Sequence, residues 1–369
     1  MPSAPNHLAV YLTNRCNLSC DYCYVSVNQG PATRLSLEDL KRTIDYFFES
    51  VPGNDKKITF LGGEPFLSFP LFEGAVRHAR ERGGPETVLQ TFTNGTLLTP
   101  ERLAFLNEFG VHATISLDGK KETNDAHRSF FSDEGRSVFD EVMRRLEGLP
   151  LDTLGVSLVF TAATVEKLLD NVDYFRRLGF GRITFNPELY EQWPEDRLAV
   201  LGAVMKGFKR YYRRILETAP DPFVIQILFA ILEARPRNEA DAKWWHDCHN
   251  VVLGPDKKFY ACDKALSFPI GSVPKQQVGS EAEGMDWDAR QALFQEAAAF
   301  VEKEASGRQE AFCPMGVYFH SNISGREPVA ALNNFHRVAD LFAGGLAELI
   351  DEVQDHPAFQ RLYVQAHLV

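Results

Sequence analysis

The sequence predicts an α/β fold: a parallel sheet covered by helices, with a smaller cysteine-bearing region after it. Two observations carry this. Between His7 and Pro187, six short apolar runs alternate with amphipathic helical stretches, a pattern that specifies parallel strands joined by crossover helices. Beyond Pro187 the alternation stops, and short strand-like runs flank the turn Gly254-Pro255-Asp256.

Each element has its own signal. His7–Thr13 reads as the first strand and runs into Cys16-Asn17-Leu18-Ser19-Cys20-Asp21-Tyr22-Cys23. Ser36 with Asp39 three residues on reads as an N-cap, opening a helix through about Ser50. Lys57–Leu61 is a strand ending in Gly62-Gly63-Glu64-Pro65. A helix over about 70–82 leads to the strand Thr87–Thr93, which ends in Asn94-Gly95. Thr99 caps a helix with Pro100 in its first turn, and the strand His112–Leu117 ends in Asp118-Gly119. A helix over about 138–149 precedes the strand Gly155–Phe160, and one over 165–178 precedes Arg182–Phe185. Residues 195–235 read as two helices, the second very apolar, and a helix over about 329–353 closes the chain. Polar or glycine-rich residues recur where the strands end, the edge at which parallel α/β folds bind ligands.

Composition narrows the function. A 369-residue chain with 44% hydrophobic and 24% charged residues is globular and long enough for two domains. Its net charge of −11 argues against nucleic acid as a partner. No basic-then-apolar N-terminal segment reads as a signal peptide, and no apolar run approaches a membrane span. The expected location is the cytoplasm, with neither nucleic acid nor membrane as partner. Thiols stay reduced there, and clustered cysteines more often mean metal than disulfides.

Three thiols within eight residues, on a strand-end loop with polar neighbours, are not core filler. Structural zinc wants four nitrogen or sulfur ligands, and the next histidine or cysteine downstream is His78. A [4Fe–4S] cluster is usually held by four thiolates, so three leave one iron open to another ligand.

Cys-x3-Cys-x2-Cys after a first strand, with an aromatic before the last cysteine, resembles the signature of the radical S-adenosylmethionine (SAM) superfamily. Gly62-Gly63-Glu64-Pro65, Thr93-Asn94-Gly95, Ser116-Leu117-Asp118-Gly119 and the segment Asn124–Arg128 extend the resemblance over about residues 7–190. It implies a partial (β/α)6 barrel. Cys16, Cys20 and Cys23 would hold three irons, and SAM would chelate the fourth. Gly62 and Gly63 would let backbone groups approach the methionine amine, with Glu64 as a compensating charge. Tyr22 would lie against the adenine. Asn94 and Ser116 would contact the ribose or carboxylate of SAM, and Arg128 would pair with the carboxylate. The reduced cluster would split SAM into methionine and a 5′-deoxyadenosyl radical, which takes a substrate hydrogen atom. A flavodoxin- or ferredoxin-type protein would supply the electron.

Cys248 to Cys262 resembles the β-hairpin of the SPASM/twitch auxiliary-cluster domain, with two departures. Lys257 stands where that pattern has glycine, and one cysteine, Cys313, follows where the full form has a cysteine-rich run. A twitch-type domain with one auxiliary [4Fe–4S] cluster on Cys248, Cys262 and Cys313 is therefore expected. A zinc site using His246, His249 or His320 is the competitor. Asp247, Asp263, a histidine, water or substrate are left open as the fourth ligand. The resemblance divides the chain into a barrel (1–190), a helical connection (191–240), the auxiliary domain (241–325) and C-terminal helices (326–369).

The clusters claim all six cysteines, which leaves no thiol to return a hydrogen atom to a substrate radical. A net oxidation by a dehydrogenase-like oxidoreductase is thus expected. The expected substrate is a polar small molecule such as an aminocyclitol or sugar, on the reduced cysteine count and on a first strand that starts with no peptide-recognition module ahead of it. The alternative is a peptide or protein maturase, which the Gly-Gly-Glu-Pro, Thr-Asn-Gly and Ser-Leu-Asp-Gly set favours. A base near the substrate is required, and Glu188 and Asp263 are the candidates. Trp244-Trp245-His246 reads as packing between the domains.

Overall fold

The computed structural model describes residues 5–51, 55–219, 223–233, 250–269, 272–305 and 328–367. Six strands form its parallel centre: β1 (His7–Tyr11), β2 (Lys57–Leu61), β3 (Val88–Thr93), β4 (Val111–Ser116), β5 (Gly155–Phe160) and β6 (Arg182–Pro187). Helices α1 (Leu37–Ser50), α2 (Phe69–Gly83), α3 (Pro100–Glu108), α4 (Lys121–Asp125), α5 (Val138–Leu146) and α6 (Leu168–Leu178) connect them. Strands neighbour one another in chain order, as short right-handed crossovers require. The α/β barrel-type expectation is met.

Alternation within each strand separates two faces. Leu8 and Val10 of β1, Ile58 and Phe60 of β2, Ala113 and Ile115 of β4 enter the large core beneath the helices. Ala9 and Tyr11 turn the other way and pack with Val252, Tyr260, Ala265 and Leu266. The helices start where side chains satisfy their free N–H groups. Ser36 and Asp39 form a reciprocal capping box on α1, at 3.1 and 2.9 Å.

After β6 the chain departs from the sequence reading. Glu195–Thr218 is one long helix, α7, but the apolar run behind it begins as a strand, β7 (Val224–Ile225), before α8 (Gln226–Glu233). β7 pairs parallel with β6, so tertiary pairing takes two β-branched residues out of the helix. A helix absent from the sequence reading, α9, covers Trp287–Ala305. Its apolar positions follow no clear helical stripe, which hid it.

The hairpin β8 (Asn250–Leu253) and β9 (Lys258–Tyr260) does not form a detached sheet. β8 pairs parallel with β1, β10 (Gln277–Ser280) pairs antiparallel with β9, and β11 (Gly284–Met285) pairs antiparallel with β10, all in the same sheet. Lys257, in the family's glycine position, has φ +66°, a left-handed conformation costing a non-glycine residue about 1–2 kcal/mol. Its ammonium bonds Asp39 of the α1 capping box at 3.1 Å, so the hairpin tip is tied to the barrel.

Candidate functional site

The loop leaving β1 is held from both sides. Asn14 accepts from Thr33 N at 2.9 Å and donates to Pro31 O at 2.9 Å, closing the loop behind the cysteines. Asn28 clasps Cys16, accepting from its N–H at 3.1 Å and donating to its carbonyl at 2.9 Å. On the far side, Ser19 N and Asp21 N donate to Ser129 O and His127 O, and Phe131 N donates to Asn17 O. The segment after α4 therefore lies along the cysteine loop.

The glycine pair meets that loop first. Gly63 N donates to Thr13 O at 2.8 Å and Glu64 N to Arg15 O at 2.9 Å. A Cβ on Gly63 would lie 2.1 Å from Arg15 O, and one on Gly62 would lie 3.0 Å from Thr13 O. The glycines are required by backbone packing against the cysteine loop itself, beyond the approach to SAM expected of them. Glu64 is 1% exposed and works as a tie. It accepts from Phe66 N (3.0 Å), Thr93 Oγ1 (2.7 Å) and Asn94 N (2.8 Å), locking the ends of β2 and β3 together. Burial raises its pKa against these bonds and Arg102.

Asn94, Arg128 and Tyr22 also have partners within the chain. Asn94 Nδ2 points at Cys16 Sγ (3.8 Å) and Asn17 Oδ1 (2.9 Å), while its Oδ1 accepts from Thr96. Arg128 Nε and Nη2 reach both oxygens of Asp118 at 3.0 Å, leaving Nη1 3.9 Å from Cys20 Sγ. The bidentate partner of Arg128 in the chain is thus Asp118, where sequence reasoning gave it the SAM carboxylate. Tyr22 donates its hydroxyl to Asp118 and lies under the guanidinium, 5.4 Å from ring centroid to Cζ. Asp118 stands inside the quoted Ser-Leu-Asp-Gly motif, yet only the fold reveals it as the hub. Ser116 is half-buried on the inner face of β4, opposite Ser157 of β5, and its hydroxyl has no partner among the described residues.

The loop carries three free thiols at this edge. Burial raises the pKa of Cys16, with Glu64 adding to it; burial also raises Cys23, and pushes Cys20 up to about 11 against the pull of Arg128. Three thiolates here need a cationic group to offset burial and repulsion, and iron supplies one. Among the described residues, no three His, Cys, Asp or Glu side chains converge on a single metal ion. A cluster asks for something else, one thiolate on each of three irons. The donor set fits.

A second centre lies where the loop meets β9. Tyr11 and Tyr24 share a hydrogen bond of 3.0 Å, and Ser26 N donates to Leu266 O at 2.7 Å. Cys262 is half-buried, 3.5 Å from Asp263 Oδ1. Lys264 Nζ is 3.7 Å from Asp263 Oδ2 and stands over the Tyr24 ring at 4.1 Å. Burial, then Tyr24 and Asp263, raise the pKa of Tyr11. Asp263, one of the two candidate bases, is therefore beside a cysteine and faces the first cysteine loop through Tyr24. Glu188, the other, is a turn cap: its carboxylate accepts from Tyr190 N at 2.9 Å and from Glu191 N. Cys248 and Cys313 lie outside the described residues, as do Trp244, Trp245, His246, Asp247, His249 and His320.

Comparison with known proteins gives three findings. The profile of the Radical SAM superfamily matches residues 10–196. The serine-type anaerobic sulfatase-maturating enzyme of Klebsiella aerogenes is 25% identical over 268 residues, 68% of this chain and 65% of that protein. The chain thus spans about two thirds of that relative's length. Among solved structures, native anSMEcpe with bound AdoMet and Cp18Cys peptide superposes with a TM-score of 0.69 at 19% identity, covering 98% of this chain and 99% of that one. SuiB of Streptococcus suis bound to precursor peptide SuiA gives 0.53 at 17% identity, covering 72% and 61%. These likenesses establish the shared fold.

Proposed function

The chain belongs to the radical SAM superfamily, and from that premise we propose that it oxidises a side chain of a peptide or protein. A [4Fe–4S] cluster and SAM are the cofactors of this family, and together they supply reductive cleavage of SAM to methionine and a 5′-deoxyadenosyl radical. Cys16, Cys20 and Cys23 would hold the cluster. Asn94 and Arg128 approach two of the three sulfurs, and Asp118 keeps Arg128 oriented.

One observation carries the oxidative reading. Asp263 adjoins Cys262 and Lys264, and Lys264 is seated on Tyr24 of the cysteine loop. A carboxylate there can take the proton that a substrate radical loses. Cys262, with Cys248 and Cys313, would hold an auxiliary cluster that supplies an electron acceptor. Loss of a hydrogen atom, a proton and an electron amounts to a two-electron oxidation, such as alcohol to carbonyl. Support for a peptide comes from the sulfatase-maturating relative and from the fold shared with proteins solved with bound peptides.

A polar small molecule, such as an aminocyclitol or sugar, is the second reading. It rests on the six-cysteine inventory, which leaves three thiols for a single auxiliary cluster.

Anaerobic reconstitution followed by iron and 5′-deoxyadenosine analysis tests the chemistry. About eight irons per chain and SAM cleavage are expected from two four-iron clusters. Four irons would remove the auxiliary cluster, and SAM cleavage retained without Cys16 would overturn the assignment of the loop. A peptide encoded beside this gene should lose two hydrogens by mass; an unchanged peptide, with turnover of a sugar instead, favours the second reading.

A further inference from the structure

Lys264 is the feature the reaction does not yet use. Its side chain is 20% exposed, and an ammonium carries three hydrogen-bond donors. Its ion-pair partner, Asp263 Oδ2, is 3.7 Å away, beyond hydrogen-bond reach. Its other neighbours are the Cys262 side chain and two ring faces, Tyr24 at 4.1 Å and Tyr190 at 5.6 Å from ring centroid to Nζ. Among the described residues the ammonium therefore makes no hydrogen bond at all. A largely buried charge with unused donors is costly unless something bonds it.

The position is as informative as the vacancy of its donors. Tyr24 follows Cys23 and Lys264 follows Cys262-Asp263, so the ammonium adjoins both the cysteine loop and Cys262. Tyr24 presents its ring face to the ammonium, and its hydroxyl is paired with Tyr11 at 3.0 Å. Asp263 balances the ammonium only in part at its longer distance, and its charge would repel a dianion such as phosphate. A carboxylate, singly charged and strongly hydrogen-bonding, fits this setting.

We propose that Lys264, backed by Tyr24 and Tyr190, binds a carboxylate of the substrate between the cysteine loop and Cys262. The proposal rests on the radical-oxidation reading of this site and names the substrate class it acts on. The carboxylate belongs either to an acidic residue of a peptide or to a free small acid. Holding it on Lys264 leaves Asp263 free to act on the neighbouring carbon.

The test uses the anaerobically reconstituted enzyme with [13C]acetate as probe and [13C]acetamide as its neutral counterpart, followed by 13C line broadening. Saturable broadening of acetate and none of acetamide is expected. Binding should weaken about tenfold or more in Lys264→Gln, the loss of one charge-assisted bond, and stay within a few-fold in Lys264→Arg. A ring-clamping role alone predicts no saturable acetate binding, or equal binding in Lys264→Gln; either result overturns the proposal. Acetyl-Ala-Glu-Ala-amide is then used to displace acetate. Tighter binding than acetate identifies a peptide source, and weaker binding a small acid. The unsubstituted enzyme is assayed for 5′-deoxyadenosine in parallel, so that failure of the radical reading is told apart from failure of the carboxylate site.

Discussion

Arg128 and Asp118 form a buried, two-pronged ion pair with both N–O distances at 3.0 Å, and the third guanidinium nitrogen faces Cys20 Sγ at 3.9 Å. Ten residues separate the two in sequence, yet the pair joins the end of β4 to the segment paired with the cysteine loop. Asp118 Oδ1 also accepts from Val159 N at 3.0 Å, which extends the tie to β5.

Removing one partner should expose how much this tie carries. Asp118→Ala leaves a buried guanidinium uncompensated, a change that typically costs about 3–5 kcal/mol. Denaturant unfolding should register that loss. Arg128→Lys keeps the charge but gives up the fork, so SAM affinity should fall by about tenfold with a smaller stability change. Unchanged SAM affinity in Arg128→Lys would refute a role for the fork in orienting this side chain.

Gly63→Ala should act on the cluster without touching a ligand. Its Cβ would lie 2.1 Å from Arg15 O and 2.9 Å from Cys16 N, and neither backbone atom can swing aside as a side chain tip would. The cysteine loop must shift, and iron content after reconstitution should fall. Ala at Gly84, where nothing lies within 4 Å, is the control; its positive φ affects stability, whereas iron content should stay normal.

Asp39 gives the acid limb of the stability curve. Burial opposes its ionisation, but hydrogen bonds from Ser36 and the Lys257 ammonium bring its pKa down to about 2. A carboxylate depressed in the folded state contributes stability above its unfolded pKa and loses it as pH falls. The window is about pH 4 to 2, and the contribution about 2 kcal/mol. Lys257→Gly removes the ion pair and also the left-handed strain. At neutral pH the two effects should cancel to within about 1 kcal/mol, while the acid limb becomes shallower. Lys257→Met keeps the strain and loses the pair, so it should be the less stable of the two in urea melts.

Asp263→Asn separates radical generation from substrate oxidation. An amide cannot take the proton, and general base catalysis is worth about 10²–10⁴-fold. Product formation should fall by that order, with 5′-deoxyadenosine still formed. A full product yield would transfer the base role elsewhere.

Much of this was legible from the chain because the signals are local. The Ser36–Asp39 capping box, Pro100 in its helix and the three-then-two cysteine spacing each span a few residues, and all appear in the structure as read. What the reading lacked is what the fold brings together. Val224-Ile225 became strand because β6 lies beside it. Glu188, a candidate base by its place just beyond a strand, also caps its own turn through Tyr190 N and Glu191 N. Glu64, assigned to SAM by resemblance, is bound by groups 29 and 30 residues away as well as by its own turn.

By itself, then, the sequence determined the alternating architecture, the cysteine loop and its superfamily. Strand period, helix caps and ligand spacing are properties of neighbouring residues, and they survive without any fold. Tertiary structure alone decided that Asp118 is the partner of Arg128. It also made the β8–β9 hairpin part of the barrel sheet, and set Lys264 against Tyr24, 240 residues away, with no hydrogen-bond acceptor among the described residues. Those facts come from which strand ends are brought to one edge, and no local pattern encodes that meeting.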